Sequence, residues 1–309
     1  MKNKTNFMTK TWVIVIGAMI CCTLWGSAFP CIKIGYRLLE IAAADTASQI
    51  LYAGYRFTLA GVLTIVLGSI LQRKILLPKR SAIGKIGLLS LLQTVLQYLF
   101  FYIGLAHTTG VKASIIEAVS TFVAILVAGY LFHQETVTSR KMLGCLIGFA
   151  GVVLVNVAGS GMDFRFSPAG DGCILLSTVA YAFSSVCMKR FSQKEDPVML
   201  SGYQFILGGI VMIACGAAMG GHLKAFTVSA AALLIYMAMI SAVAYSLWGM
   251  LLKYNPVSKV TVFGFMNPVI GVILSALLLN ETESLGVSSV LALGLVCVGI
   301  YIVNAKGKD

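Results

Sequence analysis

Ten uninterrupted apolar runs, each long enough for an α-helix to cross a bilayer, constrain this chain more than any other feature. A spanning helix needs about 20 mostly apolar residues. Such runs cover residues 12–32, 50–71, 86–106, 113–132, 142–158, 172–188, 198–219, 229–252, 260–279 and 286–303. Only short loops remain between them, so no soluble domain fits. With 59% of residues hydrophobic and 11% charged, a water-soluble enzyme is excluded. An outer-membrane barrel is excluded too, because its strands alternate apolar and polar over about ten residues. The expectation is an all-α integral membrane protein of ten transmembrane helices whose partners include the lipid bilayer.

Lys2, Lys4 and Lys10 precede the first run as they would a secretory signal. The run from Trp12 to Ile32 exceeds the roughly 7–15 apolar residues of a signal and has no small-residue cleavage site, so it reads as a retained first helix. Eight cysteines (Cys21, Cys22, Cys31, Cys145, Cys173, Cys187, Cys215 and Cys297) fall inside the runs without a Cys-x-x-Cys motif. They read as small buried hydrophobes, and neither a disulfide framework nor a zinc site is expected.

The net charge of +12 would suit nucleic acid, but the placement of the basic residues points to membrane orientation. With the amino terminus in the cytoplasm, seventeen lysines and arginines collect on that side, among them Arg73, Lys74, Lys79, Arg80 and Lys85 of one loop. The other side holds five: Lys33, Arg37, Lys112, Arg165 and Lys224. The positive-inside bias therefore puts both termini in the cytoplasm, as an even number of spans requires, in a plasma (inner) membrane. Nucleic acid is not an expected partner.

The chain also resembles itself at an offset of about 150 residues. Trp25-Gly-Ser-Ala-Phe-Pro-Cys31-Ile-Lys33 lines up with Tyr181-Ala-Phe-Ser-Ser-Val-Cys187-Met-Lys189. Tyr55-Arg56-Phe57 with Gly61 matches Tyr203-Gln204-Phe205 with Gly209, Tyr98 answers to Tyr245, and Lys112 to Lys259. Gly151 to Asn156 matches Gly299 to Asn304. Each half holds five spans, an odd number, so every helix of the second half crosses opposite to its counterpart. Two inverted five-helix repeats, 12–158 and 172–303, are expected, an architecture that places substrate sites where the halves meet.

The Trp25-Gly-Ser-Ala-Phe-x-x-Ile-Lys33 run, Tyr-Arg56-Phe, the Asn267-Pro268 pair, and Glu135 and Glu281 closing the fourth helix of each half resemble the drug/metabolite transporter superfamily, EamA branch. The resemblance covers nearly the whole chain. It implies ten helices around a central cavity and movement of a small metabolite, often outward, without naming the substrate. The first half departs from the pattern with Ser120-Thr121-Phe122 in place of the Asn-Pro pair.

An ionisable residue in a helix centre costs on the order of 3 kcal/mol, so it needs a partner or a role. Arg56 and Glu117 lie at comparable depth in the outer third of the membrane. Arg56 reads as a structural ion pair with Glu117 or as a side chain reaching the headgroups. Glu117 shares a helix face with Ser114, Ser120 and Thr121, and the counterpart stripe of the second half is Thr261, Gly264 and Asn267. It reads either as that ion pair or as a cavity residue that contacts a substrate ammonium or carries a proton. Gln93, Gln97 and Phe101 follow helical spacing, as do Ser241, Tyr245 and Trp248; with Trp25 and Tyr181 they outline an aromatic cavity with a few polar anchors. Glu117, Trp25, Gln97, Phe101, Tyr181, Tyr245, Trp248 and Asn267 are thus the candidate substrate-binding residues.

The remaining motifs have structural readings. Gly144-x-x-x-Gly148 with Gly151 marks close packing, against a helix of this chain or of a second copy in a homodimer. Asp171 reads as a carboxylate at a helix start, Pro30 and Pro268 as bending points, and Glu135 as a partner of Arg140 or a loop-facing group. His107, His133 and His222 have no ligand spacing. With no nucleotide-binding loop, zinc motif or serine elbow, no cofactor and no catalytic residue are expected. The function that follows is secondary transport, most simply export, of small organic metabolites such as amino acids, amines or drugs by alternating access. The alternatives are a passive channel and, less compatible with three scattered histidines, an intramembrane enzyme. Reporter fusions after Lys308 and at Lys79 are both expected to read cytoplasmic, and a periplasmic signal from either would overturn the orientation.

Overall fold

The computed structural model describes residues 7–157, 166–279 and 287–305; Glu281, Lys306 and Lys308 lie outside them. The described residues form helices α1 (Thr11–Leu38), α2 (Thr46–Leu71), α3 (Arg80–Leu105), α4 (110–131) and α5 (Ser139–Val157). Then follow α6 (Pro168–Ser192), α7 (Pro197–Ala218), α8 (Val228–Tyr254), α9 (257–279) and α10 (Val287–Asn304). Eight of them, α1 to α4 and α6 to α9, are long and apolar enough to cross a membrane, and the chain is an all-helical multi-pass membrane protein. α1 runs six residues past the apolar run that announces it, because Lys33 and Arg37 favour helix and carry it on toward the polar headgroups.

Several starts are fixed by side-chain caps, which satisfy amide groups that have no partner within the helix. Asp45 accepts from the Ser48 amide at 3.0 Å, and Asp196 accepts from Val198 and Met199 at 2.9 and 3.0 Å with Pro197 as first helical residue. At α6 the cap is Ser167, which accepts from Gly170 at 3.0 Å, and Asp171 reaches back to the Ser167 amide at 3.0 Å. Asp171 also accepts from the Thr108 hydroxyl and from Lys112 at 3.5 Å, so it ties the start of α6 to that of α4.

The helices pack in a pattern that survives exchanging each helix with the one five places on. α2 packs on α7 and α5 on α10, while α1 meets α8 and α9, and α6 meets α3 and α4. The first two seams are glycine seams. A Cβ on Gly61 would sit 2.5 Å from the Gly202 carbonyl, and one on Gly209 would sit 2.5 Å from the Thr58 amide. A Cβ on Gly144 would lie 2.9 Å from the Gly299 carbonyl, so the Gly144-x-x-x-Gly148 surface is occupied within this chain. Small residues allow such approach, and dispersion replaces the hydrophobic force that lipid does not supply.

Polarity is arranged for a lipid solvent. Val62, Val66, Ile70, Leu143, Leu146, Leu207, Ile210 and Val298 are exposed, whereas Ser48, Thr94, Gln204 and Ser241 are buried. The cysteines are free thiols and mostly buried as expected, but Cys297 is exposed, on the outward face of α10.

Besides π-turns at the end of α4 (Val127–Leu131) and the start of α6 (Pro168–Gly172), helical irregularities fall within three of the spans. α3 contains π-turns over Ser90–Leu96. α4 breaks at Val119 without a proline, and α9 passes through a 3-10 stretch, Val262–Phe265, just before Pro268. α1 continues through Pro30. Both fourth helices of the repeat are therefore interrupted at matching places although only the second has a proline.

Gly61→Ala should lower the detergent melting temperature sharply, at a cost of about 1–3 kcal/mol or more, since its methyl meets backbone. Gly84→Ala, with nothing within 4 Å of the new carbon, should leave it unchanged or raise it slightly. Equal shifts would deny the seam its role.

Candidate functional site

A central cavity of about 160 Å³ lies between the two sets of five helices. Its wall draws on α1, α2, α3, α4, α6, α8 and α9, and all eight candidate binding residues line it: Glu117, Trp25, Gln97, Phe101, Tyr181, Tyr245, Trp248 and Asn267. Ser114, Ser120, Thr121, Thr261 and Gly264 of the two polar stripes line it as well. Gln93 does not. It is buried within the π-turns of α3, which carry more residues per turn than an α-helix and so rotate position 93 off the face shared by 97 and 101.

Along the cavity wall the aromatic side chains form a connected cluster. Trp25 meets Tyr245 and Trp248 edge-on, with ring centroids 5.1 and 5.0 Å apart. Phe57 and Phe205 stack at 5.3 Å, Tyr98 and Tyr245 share a hydroxyl hydrogen bond of 3.0 Å, and the Phe57–Tyr98 and Phe205–Tyr245 contacts close the ring. Phe57 with Phe205, and Tyr98 with Tyr245, are the residues matched by the internal repeat. Each aromatic pair contributes about 1 kcal/mol beyond area burial, so the cluster is a rigid wall. Several polar atoms on that wall have no protein partner: the indole nitrogens of Trp25 and Trp248, Gln97 Oε1 and Asn267 Oδ1.

Two expectations about charge change. Arg56 and Glu117 both line the cavity but make no ion pair, and Arg56 does not reach outward: it is 4% exposed, with its guanidinium 4.2 Å above the Phe57 ring and 5.7 Å from that of Tyr98. The aromatic faces draw the guanidinium inward along α2, where cation–π contact replaces the carboxylate as its neighbour. Glu135 pairs with Lys141 at 2.9 Å and not with Arg140, and it accepts from the amide and hydroxyl of Ser258 at 2.9 and 2.5 Å. The turn after α4 points the carboxylate at the first turn of α9, where free amides attract it. The link joins the two sets of helices at the end that carries most basic residues. Within the second set, Lys189 of α6 donates to the carbonyl groups of Leu252 (3.2 Å) and Asn255 at the end of α8.

Tyr98, Tyr102, Ser177 and Thr178 also line the cavity. Ser177 and Thr178 stand four and three residues before Tyr181, a helical spacing that would have found them. Among the described residues no group of three or more His, Cys, Asp or Glu is placed to hold a metal ion.

Glu135→Gln should lower the melting temperature by more than Ser258→Ala, because it leaves Lys141, only 13% exposed, without its counter-charge. The reverse order would remove the ionic part of the link.

The comparisons agree with this architecture. A solved crystal structure superposes with a TM-score of 0.77 over 94% of this chain and 96% of its own, at 15% identity, and so shares the fold. An "Uncharacterized transporter" of Archaeoglobus fulgidus is 28% identical over 96% of this chain and 99% of its own length. YvbV of Bacillus subtilis, an "Uncharacterized transporter", is 26% identical over 92% and 89%, and the "Uncharacterized inner membrane transporter YedA" of Escherichia coli K12 is 28% identical over 92% and 90%. The model of the EamA-like transporter family matches twice, over residues 12–157 and 168–305, and the chain belongs to that family.

Proposed function

We propose that this protein is a secondary exporter of small organic metabolites such as amino acids or amines. It would work by alternating access between two inverted five-helix halves, with both termini in the cytoplasm of a cell bounded by its plasma (inner) membrane. The observation that carries the reading is one central cavity walled by helices of both halves and lined by the repeat-related Tyr98 and Tyr245. The exchange-symmetric helix packing supports two halves that take up equivalent positions, as alternating access needs. The link from Glu135 to Ser258 is a contact that has to break when the far end closes. Outward movement rests on the superfamily resemblance.

The size of the cavity favours small metabolites over drugs. About 160 Å³ is well below the 300–1,000 Å³ of drug-sized sites. In liposomes of known orientation the protein should show saturable uptake and counterflow of such a solute, which a passive channel would not. Glu117→Gln and Trp248→Ala should each reduce the rate at least tenfold at equal insertion, a loss of about 1.4 kcal/mol. Unchanged transport by both variants would take the cavity out of the pathway.

A further inference from the structure

Arg56 is a permanent charge with five hydrogen-bond donors. Among the described residues it makes no hydrogen bond and no ion pair, and its Nε has no partner. Its counterpart in the second half, Gln204, is neutral: it is fully buried, and its Oε1 accepts from Thr94 at 2.6 Å while its Nε2 has no partner. One half therefore closes this position with a local hydrogen bond, and the other leaves a buried guanidinium facing the cavity. A lone buried charge costs several kcal/mol unless something compensates it.

Glu117 presents the opposite case on α4. It is the one carboxylate on the cavity wall, and no lysine or arginine pairs with it among the described residues. The cavity thus holds one cation whose neighbours are aromatic faces and one anion without a basic partner, on different helices, and no other charged side chain among the described residues lines it.

We propose that Arg56 and Glu117 form a two-point site for a small zwitterion, Arg56 taking the carboxylate and Glu117 the ammonium of a free amino acid. This rests on the transporter reading and narrows its substrate class. A guanidinium matches a carboxylate with two parallel hydrogen bonds, which an isolated amine cannot use. A monocationic amine would satisfy Glu117 but leave Arg56 without a counter-anion, and a simple carboxylate would leave Glu117 without a counter-cation. Only a molecule with both ends neutralises both walls while remaining net neutral. The cavity is close in size to the ~150 Å³ site that holds a benzene ring, so a short side chain fits against Trp25 and Trp248.

The test uses the full-length protein purified in detergent and in liposomes. Two of its three tryptophans, Trp25 and Trp248, line the cavity, so intrinsic fluorescence reports occupancy. The probes are the twenty free amino acids and, for each that binds, the analogue lacking only the carboxylate and the one lacking only the amine; for leucine these are isoamylamine and 4-methylvalerate. At least one amino acid should bind tenfold or more tighter than both of its singly charged analogues. Arg56→Gln should abolish the preference over the amine, Glu117→Gln the preference over the acid, and Arg56→Lys should keep part of the former. The comparison of analogues on the unaltered protein decides the matter even where a variant fails to fold. Equal binding of amino acid and amine, or no binding by any of the twenty, overturns the proposal. If cations or anions then move in liposomes, the transporter reading stands without it; if an amino acid binds with the stated preference and nothing moves, the site stands and the transporter reading falls.

Discussion

No water reaches the hydrocarbon core of a bilayer, and every polar group of this chain at that depth has to be satisfied inside the protein. This one constraint orders the rest of the structure. It makes the segments helical, turns apolar side chains such as Val66 and Ile210 outward, and gathers threonines, glutamines and tyrosines at the centre. Because lipid is as apolar as leucine, association falls to close backbone contact, which is why glycines line the α2–α7 and α5–α10 seams.

The same constraint gives the central cavity its meaning. Thr94 donates to Gln204 Oε1 at 2.6 Å, Thr121 donates to the Thr261 carbonyl at 3.1 Å, and Tyr98 and Tyr245 share a hydrogen bond. Against that background the groups left without a protein partner on the cavity wall stand out: the indoles of Trp25 and Trp248, the side-chain oxygens of Gln97 and Asn267, and Nε of Arg56. A transport site differs from a sealed core in this way, since groups that bind a passing solute cannot be consumed by bonds to the protein.

Much of the site was legible as spacing. Helical periodicity brings Glu117 onto one face with Ser114 and Thr121, and Tyr245 onto one with Ser241 and Trp248, and periodicity survives wherever the helix is regular. It fails at Gln93, where π-turns change the residues per turn. It also fails for Arg56, because depth along two helices says how high a side chain sits but not which way it points. Arg56 turned to the Phe57 and Tyr98 rings, and Glu135 chose Lys141 and Ser258 over the nearer Arg140.

The sequence by itself determined that the chain is a membrane-embedded helical protein with internal repetition, because hydrophobic runs and matched motifs are properties of the chain read in order. It determined the polar and aromatic faces for the same reason, since a helix converts spacing into direction about its own axis. Only the tertiary structure decided which helices meet, that the glycine surface of α5 is used within the chain, and which charges remain unpaired. Those outcomes depend on the rotation and tilt of each helix against neighbours far away in sequence, and a single sequence carries no record of those angles.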